Sequence, residues 1–186
     1  MKIASILPYK ENYTIKGAGA VALWISDFMR DSIYKKDTFV IGSTYNRNYL
    51  TKNYININIE NLNSKLNSTT KKYSINILKK ITKLNFDIIE IHNRPIMVND
   101  FLHKINSKIV LYFHNDPTTM KGAKSIDERI DLLKNVDKII FISKWVKKRF
   151  FKNLPNLSDN KTQIIYHSID PIKKNILKKK TDNICR

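Results

Sequence analysis

Three apolar runs in this chain each stop at residues that can do chemistry. Phe86-Asp87-Ile88-Ile89-Glu90-Ile91 stops at His92-Asn93-Arg94-Pro95, and Lys108-Ile109-Val110-Leu111-Tyr112-Phe113 stops at His114-Asn115-Asp116-Pro117. Lys138-Ile139-Ile140-Phe141-Ile142 stops at Ser143-Lys144. An imidazole can take or give a proton near neutral pH. A guanidinium holds anions, and amides and carboxylates hold hydroxyl groups. A fourth feature lies nearer the amino terminus, where Gly17-Ala18-Gly19 opens an apolar helical stretch. Glycines at a helix start let backbone N–H groups approach an anion or a sugar closely.

Each feature also has a plainer reading. His92 and His114 are either reactive groups or hydrogen-bonded structural histidines. Asn115 and Asp116 either line a site or form the turn. Arg94 either binds an anion or pairs with Glu90 or Asp100. The glycine loop is not a dinucleotide fingerprint, because Ala22 stands where the third glycine belongs, and no Gly-Lys-Ser/Thr follows to make a P-loop. Two histidines with no cysteine beside them do not make a metal site. No Ser/His/Asp or Cys/His nucleophile arrangement is identifiable from spacing.

The elements that must position these residues follow from periodicity. Lys2 to Leu7 reads as a first buried strand. Val21, Leu23, Trp24, Ile25, Phe28 and Met29 fall near helical spacing after the glycines. Asp37 to Ile41 is a second strand, and Tyr54, Ile55, Ile57 and Ile59 alternate like a third, at an edge. Ile75, Leu78, Ile81 and Leu84 predict a helix over Ser68 to Leu84, capped by Ser68 or Thr69. Asp87 to Ile91 is a strand, Ile96 to Ile105 a helix behind Pro95, and Lys108 to Phe113 a strand. Ser125 and Glu128 form a capping-box pattern at the head of a helix to Asn135. Lys138 to Ile142 is a strand, Ser143 caps a helix over Lys144 to Phe151, and Thr162 to Tyr166 is the seventh strand. Alternation of this kind predicts a doubly wound, mostly parallel α/β sheet of about seven strands, Rossmann-like. In such a sheet ligands bind in the crevice beyond the carboxyl ends of the strands.

Composition bounds the rest. A chain of 186 residues with 42% apolar and 10% aromatic content suits one globular domain. Its formal charge is +18, which invites nucleic acid or an anionic membrane surface. The bases are mostly Lys, with only six Arg, in a chain also rich in Asn and Ile. That looks like coding bias and argues against a dedicated nucleic-acid surface, where Arg is the better bidentate reader. Cys185 is the single cysteine, so no internal disulfide forms and a reducing cytoplasm fits. The apolar run at the amino terminus is cut by Pro8, too short for a signal sequence or a membrane span. Any membrane contact is therefore expected to be peripheral. Residues 172–186 are dense in Lys and read as a flexible basic tail.

Taken in order, the motifs resemble the amino-terminal half of a GT-B glycosyltransferase, closest to the family 4 type of bacterial cell-surface sugar transferases. The resemblance spans residues 2–171. Lys16-Gly17-Ala18-Gly19-Ala20-Val21 is similar to the family's loop after strand one, and Asp87 to Pro95 to its Asp-Ile/Val-Ile-His-x-His segment, with Glu90 in place of the first His. Tyr112 to Pro117 is similar to its Thr-x-His strand end, and Asp137 to Lys147 to its Ala-Asp-x-Ile-Ile-x-x-Ser-x-x-x-Lys segment. Ile164-Ile165-Tyr166-His167-Ser168-Ile169-Asp170 stands where the family reads Val-Ile-x-Asn-Gly-Ile/Val-Asp, with His167-Ser168 replacing Asn-Gly.

The resemblance implies the acceptor-side domain of a retaining enzyme. Such an enzyme moves a sugar from a nucleotide diphosphate to a cell-envelope glycan or a lipopolysaccharide-type, lipid-linked acceptor. It implies no cofactor beyond the nucleotide-sugar substrate. It puts His114 facing the reacting sugar as the catalytic residue, and Gly17, Ala18, Gly19, His92, Asn93, Arg94, Asn115 and Asp116 in donor or substrate binding. A neutral imidazole at residue 114 would give one hydrogen bond to a sugar hydroxyl. The family's carboxyl-terminal donor-binding domain is expected to be absent, with a separate donor-domain chain as the partner that would complete the cleft. The implied location is the cytoplasm, peripheral to the inner face of the membrane. Two other readings stay open: a truncated or split, non-catalytic sugar- or nucleotide-binding module, and a basic nucleic-acid-binding α/β domain.

Overall fold

A computed structural model of the chain describes residues 1–59, 68–155 and 159–167. Its centre is one sheet of seven strands, all parallel: β1 Ile3–Ile6, β2 Thr38–Gly42, β3 Tyr54–Asn56, β4 Ile88–His92, β5 Lys108–Phe113, β6 Lys138–Phe141 and β7 Thr162–Ile164. The order across the sheet is β3-β2-β1-β4-β5-β6-β7. The chain winds outward from β1 in one direction, then restarts at β4 on β1's other side. The switch point between β1 and β4 leaves a crevice at the carboxyl edge, where loops part to opposite sides.

Five helices are described: α1 Ala20–Asp31, α2 Thr69–Leu84, α3 Val98–Phe101, α4 Ile126–Asn135 and α5 Lys144–Phe151. Strand alternation divides the sheet into two faces. One face carries Ala4, Ile6, Ile41, Ile89, Ile91, Leu111 and Phe141, and packs against buried residues of α2 to α5 such as Ile77, Phe101, Leu132 and Phe150. The other face carries Val40, which meets Val21, Ala22, Ile25 and Met29 of α1 beside Leu7. On this α1 face β1 also presents Ser5, β4 presents Glu90 and His92, and β5 presents Tyr112. Polar residues in a sheet otherwise buried on both sides mark where chemistry displaces packing.

The caps predicted from sequence are present. The Ser68 hydroxyl accepts from the Lys71 N–H and starts α2. Ser125 and Glu128 form the reciprocal capping box of α4, and Ser143 accepts from the Val146 N–H in α5. One element differs. The predicted helix over Ile96 to Ile105 is a 3-10 turn at Pro95–Met97 followed by the single turn of α3. Leu102 has a ψ of 135° and His103 a φ of 61°, so the chain leaves helical geometry there. Met97, Val98 and Phe101 are already fully buried, which satisfies the apolar pattern within one turn. Strands β3 and β7 stop two to three residues short of their predicted ends, as edge strands paired on one side do. The tail 172–186 lies outside the described residues. Among the described residues, no helix is long and apolar enough to cross a membrane.

Candidate functional site

The cleft lies at the carboxyl edge, over the switch point, and has a volume of about 350 Å3. Pro8 and Glu11 come from the loop after β1, and Ala20 and Val21 from the first turn of α1. Asn93 and Arg94 follow β4, His114 and Asn115 follow β5, and His167 follows β7. Residues 93, 94, 114 and 115 of the sequence-predicted set are therefore brought together.

Beneath the cleft the histidines form a line. His92 is fully buried, and its Nε2 lies 2.9 Å from the Ser5 hydroxyl. Its Nδ1 lies 2.9 Å from His114 Nε2. His114 Nδ1 in turn lies 3.3 Å from His167 Nε2. Both ring nitrogens of His114 are thus bonded to other histidines. This differs from the expectation of a ring free to meet a sugar hydroxyl. The outermost ring is His167, which is exposed. Burial, with His92 and His167 alongside, pushes His114 down to about 2, so it is neutral at physiological pH. Burial also lowers His167.

Aromatic rings hold this line in place. Tyr112 stacks on His92 at 4.5 Å between ring centres. Trp24, from α1, packs edge-on to His114 at 5.1 Å and also touches the rings of His92, Tyr112 and His167. The Tyr112 hydroxyl donates to Glu90 Oε1 at 3.2 Å. Burial and the Glu90 charge push that phenol far up, so it stays protonated as the donor.

Asn93 acts through its backbone and amide. Its φ of 51° is left-handed, which Asn tolerates better than most residues. Its Oδ1 accepts the His114 N–H at 2.7 Å, and its own N–H donates to the Tyr112 carbonyl at 2.9 Å. The β4 and β5 strand ends are thereby locked together. Arg94 Nη1 donates to the Asn93 carbonyl at 2.8 Å. Neither carboxylate considered for it from sequence takes it: Glu90 holds Tyr112, and Asp100 pairs with Lys71. Burial lowers the Arg94 guanidinium while Glu11 raises it. Arg94 is the cleft's cation.

The glycine loop is arranged differently from expectation. Gly17 has a φ of +89° and its carbonyl accepts from the Asn12 amide at 3.1 Å. Gly19 is the N-cap of α1 and has no side chain to serve as cap. Glu11 supplies one instead: its Oε1 accepts the Ala22 N–H at 3.2 Å, and a Cβ on Gly19 would overlap its carboxylate. The helix start expected to receive an anion thus holds the chain's own carboxylate. Gly17, Ala18 and Gly19 shape this turn; the cleft wall itself is Ala20 and Val21.

Asp116 lies outside the cleft lining. Its carboxylate accepts from Arg149 Nε at 2.8 Å and from the Thr118 N–H and hydroxyl at 3.0 and 2.8 Å. Burial opposes ionisation there, but Thr118 and Arg149 hold the carboxyl below its usual range. It ties the turn after β5 to α5. Among the described residues no group of three His, Cys, Asp or Glu converges to hold a metal. Ser5, Glu11, Trp24, Tyr112 and His167 were not singled out for the site from sequence. A serine inside the apolar run Ile3-Ala4-Ser5-Ile6 was the one local signal, since a buried hydroxyl needs a partner.

The sequence matches no family model and no curated protein. Solved structures do match the fold. The chain has the fold of one Rossmann-like half of a GT-B glycosyltransferase. A sucrose-phosphate synthase structure from Thermosynechococcus elongatus superposes with a TM-score of 0.61 at 12% identity, covering 89% of this chain and 88% of that one. Anabaena HepE in complex with UDP-glucose superposes at 0.63 and 12% identity, over 91% of this chain and 44% of that one. The lipopolysaccharide outer core galactosyltransferase WaaB gives 0.57 at 16% identity, over 89% of this chain and 45% of that one. The chain thus spans less than half the length of HepE and WaaB.

Proposed function

We propose that this chain is the acceptor-side half of a glycosyltransferase that moves a sugar from a nucleotide diphosphate to a cell-envelope glycan or lipopolysaccharide-type acceptor. The observation that carries this reading is the cleft: a polar hollow of about 350 Å3 at the sheet's switch point, with one guanidinium at its wall and histidines at its floor. The same fold makes up part of HepE, whose structure was solved in complex with UDP-glucose, and that supports the reading.

Each residue has a role in that reaction. Arg94 offers positive charge to the diphosphate, whose negative charge grows as the glycosidic bond to it breaks. Asn115 and His167 present polar groups to sugar or acceptor hydroxyls. Asn93 and His92 act from below, holding His114 and the β5 end. A second Rossmann-like half, from the rest of a longer chain or from a separate chain, would close the cleft over the nucleotide. A formal charge of +18 suits a phosphorylated acceptor or an anionic membrane surface, and it supports a location at the inner face of the membrane as part of this reading.

The test is transfer of labelled sugar from UDP-, GDP- and ADP-sugars to lipopolysaccharide-type acceptors, by this chain with and without a supplied donor-binding half. Transfer that requires both halves is the expected result. Undiminished transfer by a complex carrying Arg94→Ala and His167→Ala would contradict the assignment of this cleft.

A further inference from the structure

The three histidines are joined in one sense only. Each bond uses Nδ1 of the inner ring and Nε2 of the next ring outward, first from His92 to His114 and then from His114 to His167. A neutral imidazole carries one proton, so it donates at one nitrogen and accepts at the other. If His92 donates through Nδ1, His114 must accept at Nε2 and therefore carry its own proton on Nδ1. His167 must then do the same. If His167 donates inward through Nε2, all three rings carry the proton on Nε2. The line has two self-consistent states, and the rings can change only together.

Its two ends differ. The outer end is His167, exposed in the cleft. At the inner end His92 Nε2 lies 2.9 Å from the Ser5 hydroxyl and 3.9 Å from Glu90 Oε2. The second gap is longer than a hydrogen bond. Ser5 bonds the same nitrogen and is the register partner of Glu90 on the same face of the β1–β4 ladder, so a rotation of its hydroxyl from His92 toward Glu90 is the step that would close the gap. We infer that His167, His114, His92, Ser5 and Glu90 form a proton relay between the cleft and the α1 face of the sheet. For its use in catalysis this inference rests on the glycosyl-transfer reading above.

The proton balance is simple. In the starting state each ring carries its proton on Nε2. An acceptor hydroxyl forms its bond to the sugar's anomeric carbon, the bond from that carbon to the nucleotide diphosphate breaks, and the diphosphate leaves with the electron pair. The hydroxyl's proton goes to His167 Nδ1. The Nε2 protons of His167 and His114 each pass one ring inward, and that of His92 leaves through Ser5. Ser5 gives its own hydrogen to Glu90. The rings end with their protons on Nδ1, and Glu90 ends protonated. One proton enters, one is stored, and no ring is left charged. That suits His114, whose buried ring resists becoming a cation. The Glu90 side chain is 18% exposed and can return the proton to water.

Tyr112 from β5 donates to the other Glu90 oxygen, and Trp24 from α1 covers the rings. Arg94 and Glu11 flank the outer end in the cleft.

Long-range 1H–15N NMR of the histidine rings, on the chain itself at neutral pH, tests the relay without any transfer assay. The three rings are expected to show one common tautomer population. Glu90→Gln removes the inner charge, so the nitrogen shifts of His92 and of His167 are expected to move together. Tyr112→Phe removes only a flanking bond and should leave that coupling in place. Different tautomers in the wild-type rings would overturn the relay, as would a Glu90→Gln response that stops at His92. In a transfer-competent complex, Glu90→Gln should lower turnover and move its pH profile with acceptor affinity unchanged. Coupled rings in a cleft that no nucleotide sugar or acceptor perturbs would leave the relay standing and remove the transferase reading. Cleft binding with uncoupled rings would do the reverse.

Discussion

Acidification between about pH 7 and pH 5 should destabilise this fold mainly through His114. The residue is 7% exposed and neutral, with its basicity pushed down to about 2 by burial and by the two neighbouring histidines. In the unfolded chain the same imidazole takes a proton at about 6.5. The unfolded state therefore binds protons that the folded state refuses. Stability from the neutral buried ring is full above about pH 6.5 and is lost progressively as pH falls toward about 2. By about pH 5 the unfolded chain gains about 2 kcal/mol from this single group. The carboxyls held low, Asp116 and Asp159, act only below about pH 4, so this window isolates the histidines. Urea unfolding followed by far-UV circular dichroism at several pH values measures the effect. The wild type should lose about 2 kcal/mol more than His114→Gln between the two pH values. Equal losses in the two proteins would refute the reasoning, because they would mean that the ring is protonated in the folded state or never buried.

Three further outcomes are expected. Gly122 has a φ of +92°, and a Cβ there would lie 2.5 Å from the Ile96 backbone nitrogen. Gly122→Ala should cost about 2 kcal/mol or more, read as a lower urea midpoint, and a neutral effect would contradict the close approach of these two loops. Arg149→Leu removes the tie from α5 to Asp116 and Thr118. Its partial exposure limits the loss to about 1 kcal/mol, and a loss several times larger in thermal unfolding would show a buried network instead. The chain by itself should bind UDP- or GDP-sugar more weakly than micromolar, because one wall of a cleft covers little of a ligand. Calorimetry giving micromolar affinity would contradict the one-wall reading.

The sheet was legible in the sequence because its signals are local. Apolar runs bounded by polar clusters, the Ser125–Glu128 capping box and the Ser143 cap each depend on residues a few positions apart, and each is present. The parallel order followed from the alternation of strand and helix. The site was legible as a set of strand ends and illegible as a network. His92 and His114 were visible as residues after apolar runs, but their bond spans 22 positions, and that from His114 to His167 spans 53. No periodicity carries such a pairing. Glu11 was missed for the same reason, since a carboxylate eleven residues before Ala22 gives no helix-capping signal. The helix after Pro95 is shorter than its pattern predicts because Met97, Val98 and Phe101 fit a helical spacing that one turn is enough to bury.

On the reading proposed above, a sugar substrate meets this chain in the cleft over the β1–β4 switch point. Its most direct test is a backbone-amide NMR titration of the isotope-labelled chain with nucleotide sugars and lipopolysaccharide-type glycans at millimolar concentration. Shifts concentrated at Ala20, Val21, Arg94, Asn115 and His167 are expected, with the amides of α4 and α5 unmoved. Shifts confined to α4 and α5, or no shifts from any of these ligands, would contradict it.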